Sequence, residues 1–402
     1  MINIRKWTLA GFISLIILSG GISACNNRAL IEQATPIPVI TIEPIFKEEP
    51  SPVPTRTTTP AEPTEIANYP VEGYGPGDFP EQINPLTGLE AVDPALLERR
   101  PMVVKIQNAP RDSRPAWGLS MADHVIEYYL EYGYTRFAAV FYGKNPEMIG
   151  PIRSARHADL HLVNMYDAML IFGGAYRELM DILIDSDFKD RIFQEGPNTS
   201  PALFRYEPEG NNFLMVNPEE LPAIYERYET DNSRQNLDGM LFQNQTPPGG
   251  EDVSRIFGRF SGVSYHHWDF VPESGKYLRF EETQDDLNAV QEDYKPAYDR
   301  LTGEEIYSDN VIYVFVEYEQ ILENAQVFDI HLDGEGDALV ARDGMLYPVR
   351  WSREGREKTF KFSDENGNPF PFSPGKTWIE LFGESSTILE EGQDRRITFS
   401  MP

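Results

Sequence analysis

Thiol chemistry has almost no place in this sequence: among 402 residues there is one cysteine, Cys25. A disulfide framework is therefore excluded, and packing and polar contacts must hold the folded part. Positive charge is scarce as well, with 35 Lys and Arg against 64 Asp and Glu and a formal net charge of −29. That balance excludes nucleic acid as a partner, because binding to phosphate backbones needs a basic footprint. The apolar run at residues 7–18 falls short of the ~20 residues that carry a helix across a bilayer. Apolar and aromatic residues are nevertheless plentiful: 41% of the chain is hydrophobic, with 23 Phe and 20 Tyr, enough for two domain cores.

Arg5 and Lys6 precede that apolar run, and small residues follow it up to Ile22-Ser23-Ala24-Cys25. This is the layout of a secretory signal, residues 1–25, ending in a bacterial lipobox. Cys25 is then the lipidation site and the mature N-terminus, which leaves the exported chain without a thiol. The expected location is extracytoplasmic, on the outer face of the cytoplasmic membrane, with the lipid bilayer as a partner through acylated Cys25. Residues 26–83 are rich in Pro, Thr and Glu and show no apolar periodicity. Such a stretch buries too little surface to offset its ordering entropy, so it reads as a disordered tether. Its reach is roughly 40 Å as a coil and about 180 Å as polyproline.

The folded body is expected to be α+β. The N-terminal module, residues 84–245, carries a buried strand at 102–106, a strand or short helix at 124–130 whose aromatic and β-branched content leans to strand, a strand at 136–142, a helix after Ser154, and a short strand at 168–172 before Gly173-Gly174. Strand, helix, strand in that order predicts a crossover unit within a mixed sheet. Residues 176–185 and 218–228 read as further helices. In the C-terminal module, residues 246–402, short β-branched and aromatic runs alternate with turn signals such as Asp343-Gly344 and Asn366-Gly367. Mainly antiparallel hairpins are the natural reading. Residues 281–309 read as an acidic surface excursion.

Several motifs recur as a set: Asn-Pro-Leu-Thr-Gly at 84–88, Arg100-Pro101, Asn108, Arg114 to Asp123, Glu127 and Glu131, Thr135-Arg136-Phe137 and Gly-Pro-Ile-Arg-Ser-Ala-Arg at 150–156. Asp309-Asn310-Val311-Ile312 and Pro-Gly-Lys-Thr-Trp-Ile-Glu-Leu at 374–381 follow in the second module. In their order and spacing the chain resembles the YerB-like family of bacterial lipoproteins over residues 84–385. That resemblance implies a two-module α+β lipoprotein body with no characterised activity. The family pattern has a His two residues before the Gly-Gly, where this chain has Ile171, and a His-Asn pair near Asn211-Asn212, which lacks the His. Any role those histidines carry in relatives is absent here.

Asn108, Asp123, Glu127, Arg136, Arg153 and Arg156 are the candidate site residues, and two readings of them stay open. Guanidinium groups at a helix start can hold a carboxylate or phosphate bidentately, or they can be paired internally with Asp123, Glu127 or Glu131. His157 and His161 share a helix face as metal pairs do, but Ala158 stands where a zincin places its base, so no metal or cofactor is expected. Ser154 lacks a nucleophile elbow and reads as a helix cap. The carboxylates at 333, 335 and 337 lack the turn glycine of a calcium loop and read as a solvated hairpin loop. His266 and His267 are adjacent on a strand, on opposite faces, and so form no chelating pair. Trp117, Trp351 and Trp378 read as core anchors. The expectation is an envelope component that binds an anionic ligand or an envelope protein. The alternative is a hydrolase acting on a wall or glycan substrate through Asp123 and Glu127.

Overall fold

The computed structural model describes residues 69–322 and 327–401. The expected signal sequence, Cys25 and most of the expected tether lie outside them. The tether's end is corrected, because residues 69–83 are packed on the body. Tyr69 donates its hydroxyl to the Phe242 carbonyl at 2.7 Å, Tyr74 bridges to Phe242, and Phe79 packs edge-on against the same ring. Aromatic side chains give this Pro-rich stretch something to bury.

Strand β1 (Met102–Gln107) is buried along its whole length, as a near-continuous apolar run requires. β2 (His124–Tyr129), β3 (Thr135–Phe141), helix α1 (His157–Met165), β4 (Met169–Phe172), helix α2 (Arg177–Asp185), β5 (Ile192–Gln194) and helix α3 (Leu221–Arg227) follow. The second half contributes β6 (Arg255–Arg259), β7 (Tyr265–Val271), β8 (Lys276–Glu282), β9 (Asn310–Val316), β10 (Gly334–Arg342), β11 (Met345–Arg353), β12 (Lys361–Ser363), β13 (Thr377–Gly383), β14 (Thr387–Glu391) and β15 (Asp394–Thr398). The fold is α+β.

The main sheet runs β12-β11-β10-β9-β13-β2-β3-β1-β4-β5. Strands of both halves therefore share it, and β13 is inserted parallel to β2 on one side and to β9 on the other. The crossover expected between β3 and β4 is placed differently. β4 pairs in parallel with β1, while β3 pairs antiparallel with β1 on the opposite side. Chain order marked the helix correctly but could not reveal which strand would lie beside β4. The Asp343-Gly344 turn closes the β10–β11 hairpin, with φ of 54° and 77°, the left-handed pair that a tight hairpin turn needs. Residues 334–337, expected as a loop, begin β10 instead, and Asp337 pairs with Arg350 at 2.6 Å.

One face of the main sheet carries α1 and α2, with Leu162, Val163, Leu179 and Leu183 in its core. The other faces a second sheet of order β8-β7-β6-β15-β14, and Val125, Phe137 and Trp378 meet Ile256, Trp268 and Ile397 between the two. Replacing Phe242 by Ala should destabilise the protein by about 3–5 kcal/mol in urea denaturation. It should also open residues 69–79 to limited proteolysis before the rest of the body unfolds.

Candidate functional site

Side chains alternate along a strand, so β2 and β3 present two different sites on their two faces. Glu127 and Phe137 face the second sheet, and Tyr128 and Arg136 face the helices, each pair being register neighbours.

On the inter-sheet face the register sets Glu127 directly opposite Glu380 of β13. Two buried carboxylates side by side repel strongly in a low-dielectric interior. Arg279 of β8 answers them, donating to Glu127 Oε2 at 2.6 Å and standing 3.7 Å from Glu380 Oε1. Its guanidinium lies 4.5 Å from the Trp378 ring centre and 5.2 Å from that of Trp268, within cation–π range of both. Glu380 Oε1 also accepts from Trp268 Nε1 at 2.8 Å and contacts His266 Nε2 at 2.7 Å. Glu127 Oε1 accepts from Asn108 Nδ2 at 3.1 Å and Thr135 Oγ1 at 2.7 Å. Gly258 gives way to this cluster, since a Cβ there would stand 2.5 Å from His266 Nε2. Burial pushes the Glu380 carboxyl up to about 7 although Arg279 opposes it, and holds His266 well below the ordinary range.

Donor atoms of Glu127, His266 and Glu380 lie within 4.8 Å of one another, the spread of a metal ligand set. Arg279 already supplies the positive charge between the carboxylates, so the arrangement is a brace between sheets. Neither Arg279 nor Glu380 stood out in the sequence. The only signals were a lone charge inside each of two otherwise β-forming runs, Tyr-Leu-Arg-Phe and Thr-Trp-Ile-Glu-Leu. His266 and His267 do point opposite ways: His267 sits among Phe280 and Tyr294.

Asp123 is elsewhere. Its carboxylate accepts from the Tyr142 and Gly143 backbone N–H groups at 2.6 and 2.9 Å and from Asn84 Nδ2 at 2.9 Å, tying the 84–88 turn to the end of β3. Asp123 and Glu127 thus have separate partners, and each is saturated by protein donors. This removes the geometric basis for acid/base work between them.

The helix-side face is different in kind. β1 and β4 run parallel, and at their carboxyl ends Arg153 N–H donates to the Lys105 carbonyl at 2.9 Å while Gly173 N–H donates to the Arg153 carbonyl at 3.0 Å. Ala155 N–H bonds Gly174 O at 2.8 Å, so both α1 and α2 begin here, joined by the His157–Tyr176 side-chain contact. Ser154 is not the cap: Asp159 accepts from Arg156 N–H at 2.7 Å. His161 bonds Asp329 at 3.1 Å, so the two helix histidines have separate partners.

Four cations gather at this edge. Lys105, fully buried, is neutralised by Asp159 at 3.0 Å, and burial brings it down to about 8. Arg156 grips Glu131 bidentately through Nε and Nη2. Arg136 donates only to the Ser154 carbonyl, at 2.8 Å; burial, with Arg156 beside it, pushes its guanidinium down to about 10. Arg153 is lowered by partial burial and by nearby Arg205. Among the described residues neither Arg136 nor Arg153 has a carboxylate within ion-pair distance. Gln107, the register partner of Arg136 and 1% exposed, leaves both side-chain amide atoms without a partner. Of the six expected site residues, then, the three arginines come together here, Asn108 and Glu127 belong to the brace on the opposite face, and Asp123 anchors a loop.

Residues 86–229 match the N-terminal domain, and residues 256–379 the C-terminal domain, of a family described as a protein of unknown function (DUF3048). Over 309 residues the chain is 28% identical to the "Putative lipoprotein YerB" of Bacillus subtilis (strain 168), covering 74% of this chain and 85% of that one. The chain belongs to the YerB-like family. The crystal structure of the YerB protein from Bacillus subtilis matches with a TM-score of 0.61 at 24% identity, over 74% of this chain and 96% of that chain. The YerB-like fold is therefore shared.

Arg279→Leu should cost about 3–5 kcal/mol of stability in urea denaturation, because it leaves two adjacent buried carboxylates without a cation. Glu380 carries a pH signature. Its carboxyl ionises near 4.5 when unfolded and near 7 in the fold, so folding takes up a proton between those values. The wild type loses stability as pH rises through that window. Glu380→Gln, which cannot ionise, should gain relative to wild type from pH 4.5 to 7 in parallel denaturation curves.

Proposed function

We propose that this chain is an envelope lipoprotein held on the outer face of the cytoplasmic membrane by acylated Cys25, whose body binds an anionic ligand at the arginine crevice. The observation that carries the binding reading is the pair Arg136 and Arg153, two guanidinium groups with no carboxylate in ion-pair reach among the described residues, in a chain of net charge −29. The carboxyl ends of parallel strands and the N-termini of adjoining helices are where α/β folds place anionic ligands. A bound carboxylate or phosphate neutralises what the protein leaves uncompensated. Anchoring is supported by the lipobox and by a relative named as a lipoprotein. The reading requires no catalysis, and the saturated carboxylates Asp123 and Glu127 give the hydrolase alternative no free group.

Inorganic phosphate titrated onto the solubilised full-length protein should perturb the crevice. Arg153→Ala should weaken that binding roughly 10- to 100-fold, the worth of a charge-assisted hydrogen-bond pair, with little change in melting temperature. Equal binding by wild type and Arg153→Ala rejects the site. Cys25→Ser should move the protein from the membrane to the soluble fraction and abolish incorporation of labelled fatty acid.

A further inference from the structure

We infer that the ligand is a short peptide with a free C-terminal carboxylate, bound as an added strand on the outer edge of β5; this rests on the anionic-ligand reading above. A groove of about 500 Å³ follows β5, and residues 192–199, eight in succession, line it. Met180 and half-exposed Ile184 of α2 form one wall, and Tyr228 forms the other. β5 is the last strand of the main sheet, and among the described residues no strand pairs with its outer edge. A groove between a free sheet edge and a helix suits an extended peptide, which gains ladder hydrogen bonds from the edge and side-chain contacts from the walls.

Charge selects which part of the peptide lies where. Gln194, at the carboxyl end of β5, has its amide 3.6 Å from where a Cβ on Gly174 would stand, and Gly173 N–H bonds the Arg153 carbonyl. Glu195, also in the groove lining, is held by Arg205, whose charge is felt by Arg153. The Gln194 end of the groove is therefore the end that faces Arg153, which stands beyond the lining itself. A terminal carboxylate placed on Arg153 leaves the peptide running back along β5, parallel to it, with its apolar side chains between Ile184 and Tyr228. Gln107, buried beside Arg136 with both amide atoms unpartnered, offers the crevice a donor and an acceptor.

The test uses the solubilised full-length protein and two probes. A mixed library of N-acetyl tripeptides with free carboxylates competes with the same library as C-terminal amides, read by affinity selection and mass spectrometry; inorganic phosphate is titrated separately. Free acids should be enriched at least about tenfold over amides, a difference of about 1.4 kcal/mol. Arg153→Ala should erase the enrichment, and backbone N-methylation of a selected peptide should weaken it by a similar factor because a ladder donor is lost. Equal retention of acids and amides, or retention of neither, overturns the peptide assignment. If phosphate still binds wild type and not Arg153→Ala, the anion crevice stands while the peptide class falls; if phosphate binding is also absent, both fall. A dimer in sedimentation that Ile184→Asp dissolves assigns the groove to a second copy of the chain and likewise overturns the peptide.

Discussion

A buried guanidinium between two buried carboxylates sets the terms for this fold. β2 and β13 come from distant parts of the chain, and their parallel register places Glu127 opposite Glu380. Ionising both carboxylates there calls for a cation, and among the described residues the one in contact is Arg279 on the second sheet. The main sheet therefore cannot form with this register unless β8 docks over it. Trp268, Trp378 and Phe137 enclose the guanidinium, which keeps water out and strengthens each charge contact. Removing any one partner strands the others in a low-dielectric interior, so the brace acts as a register lock more than as a source of net stability.

The same two strands carry the arginine crevice on their other face. Arg136 follows from Tyr128 as Phe137 follows from Glu127, one residue and one face apart. Rigidity imposed by the brace is thus transmitted to the position of Arg136. The two faces differ: on one side each carboxylate has an opposite charge beside it, and on the other, among the described residues, two guanidinium groups have none. Arg136, half-buried without a carboxylate in ion-pair reach among the described residues, is a standing cost, and a protein with 64 acidic residues has no shortage of carboxylates to place there.

Much of the architecture was legible from residue patterns. The apolar run at 102–106, the strand at 136–142, the helices near 157 and 177, and the Asp343-Gly344 hairpin all appear where local pattern places them. Pairing was not legible. Nothing local to β4 says that its neighbour is β1, and nothing local to residues 377–383 says that they enter the middle of a sheet begun by the first half. The candidate site was legible as a list and not as a place. Asn108, Glu127 and Arg136 sit close in sequence, but strand alternation sends them to opposite faces, and the cation that Glu127 needs lies 152 residues away.

Composition and local pattern by themselves determined that this protein has no disulfides within its chain and that its body is α+β. Those properties depend on residue type and short-range spacing, which a chain displays before it folds. Tertiary structure alone decided which charges meet. Ion pairs form through space between strands whose register is fixed by the whole sheet, so only the fold could separate the braced carboxylates from the arginines still lacking a counter-ion.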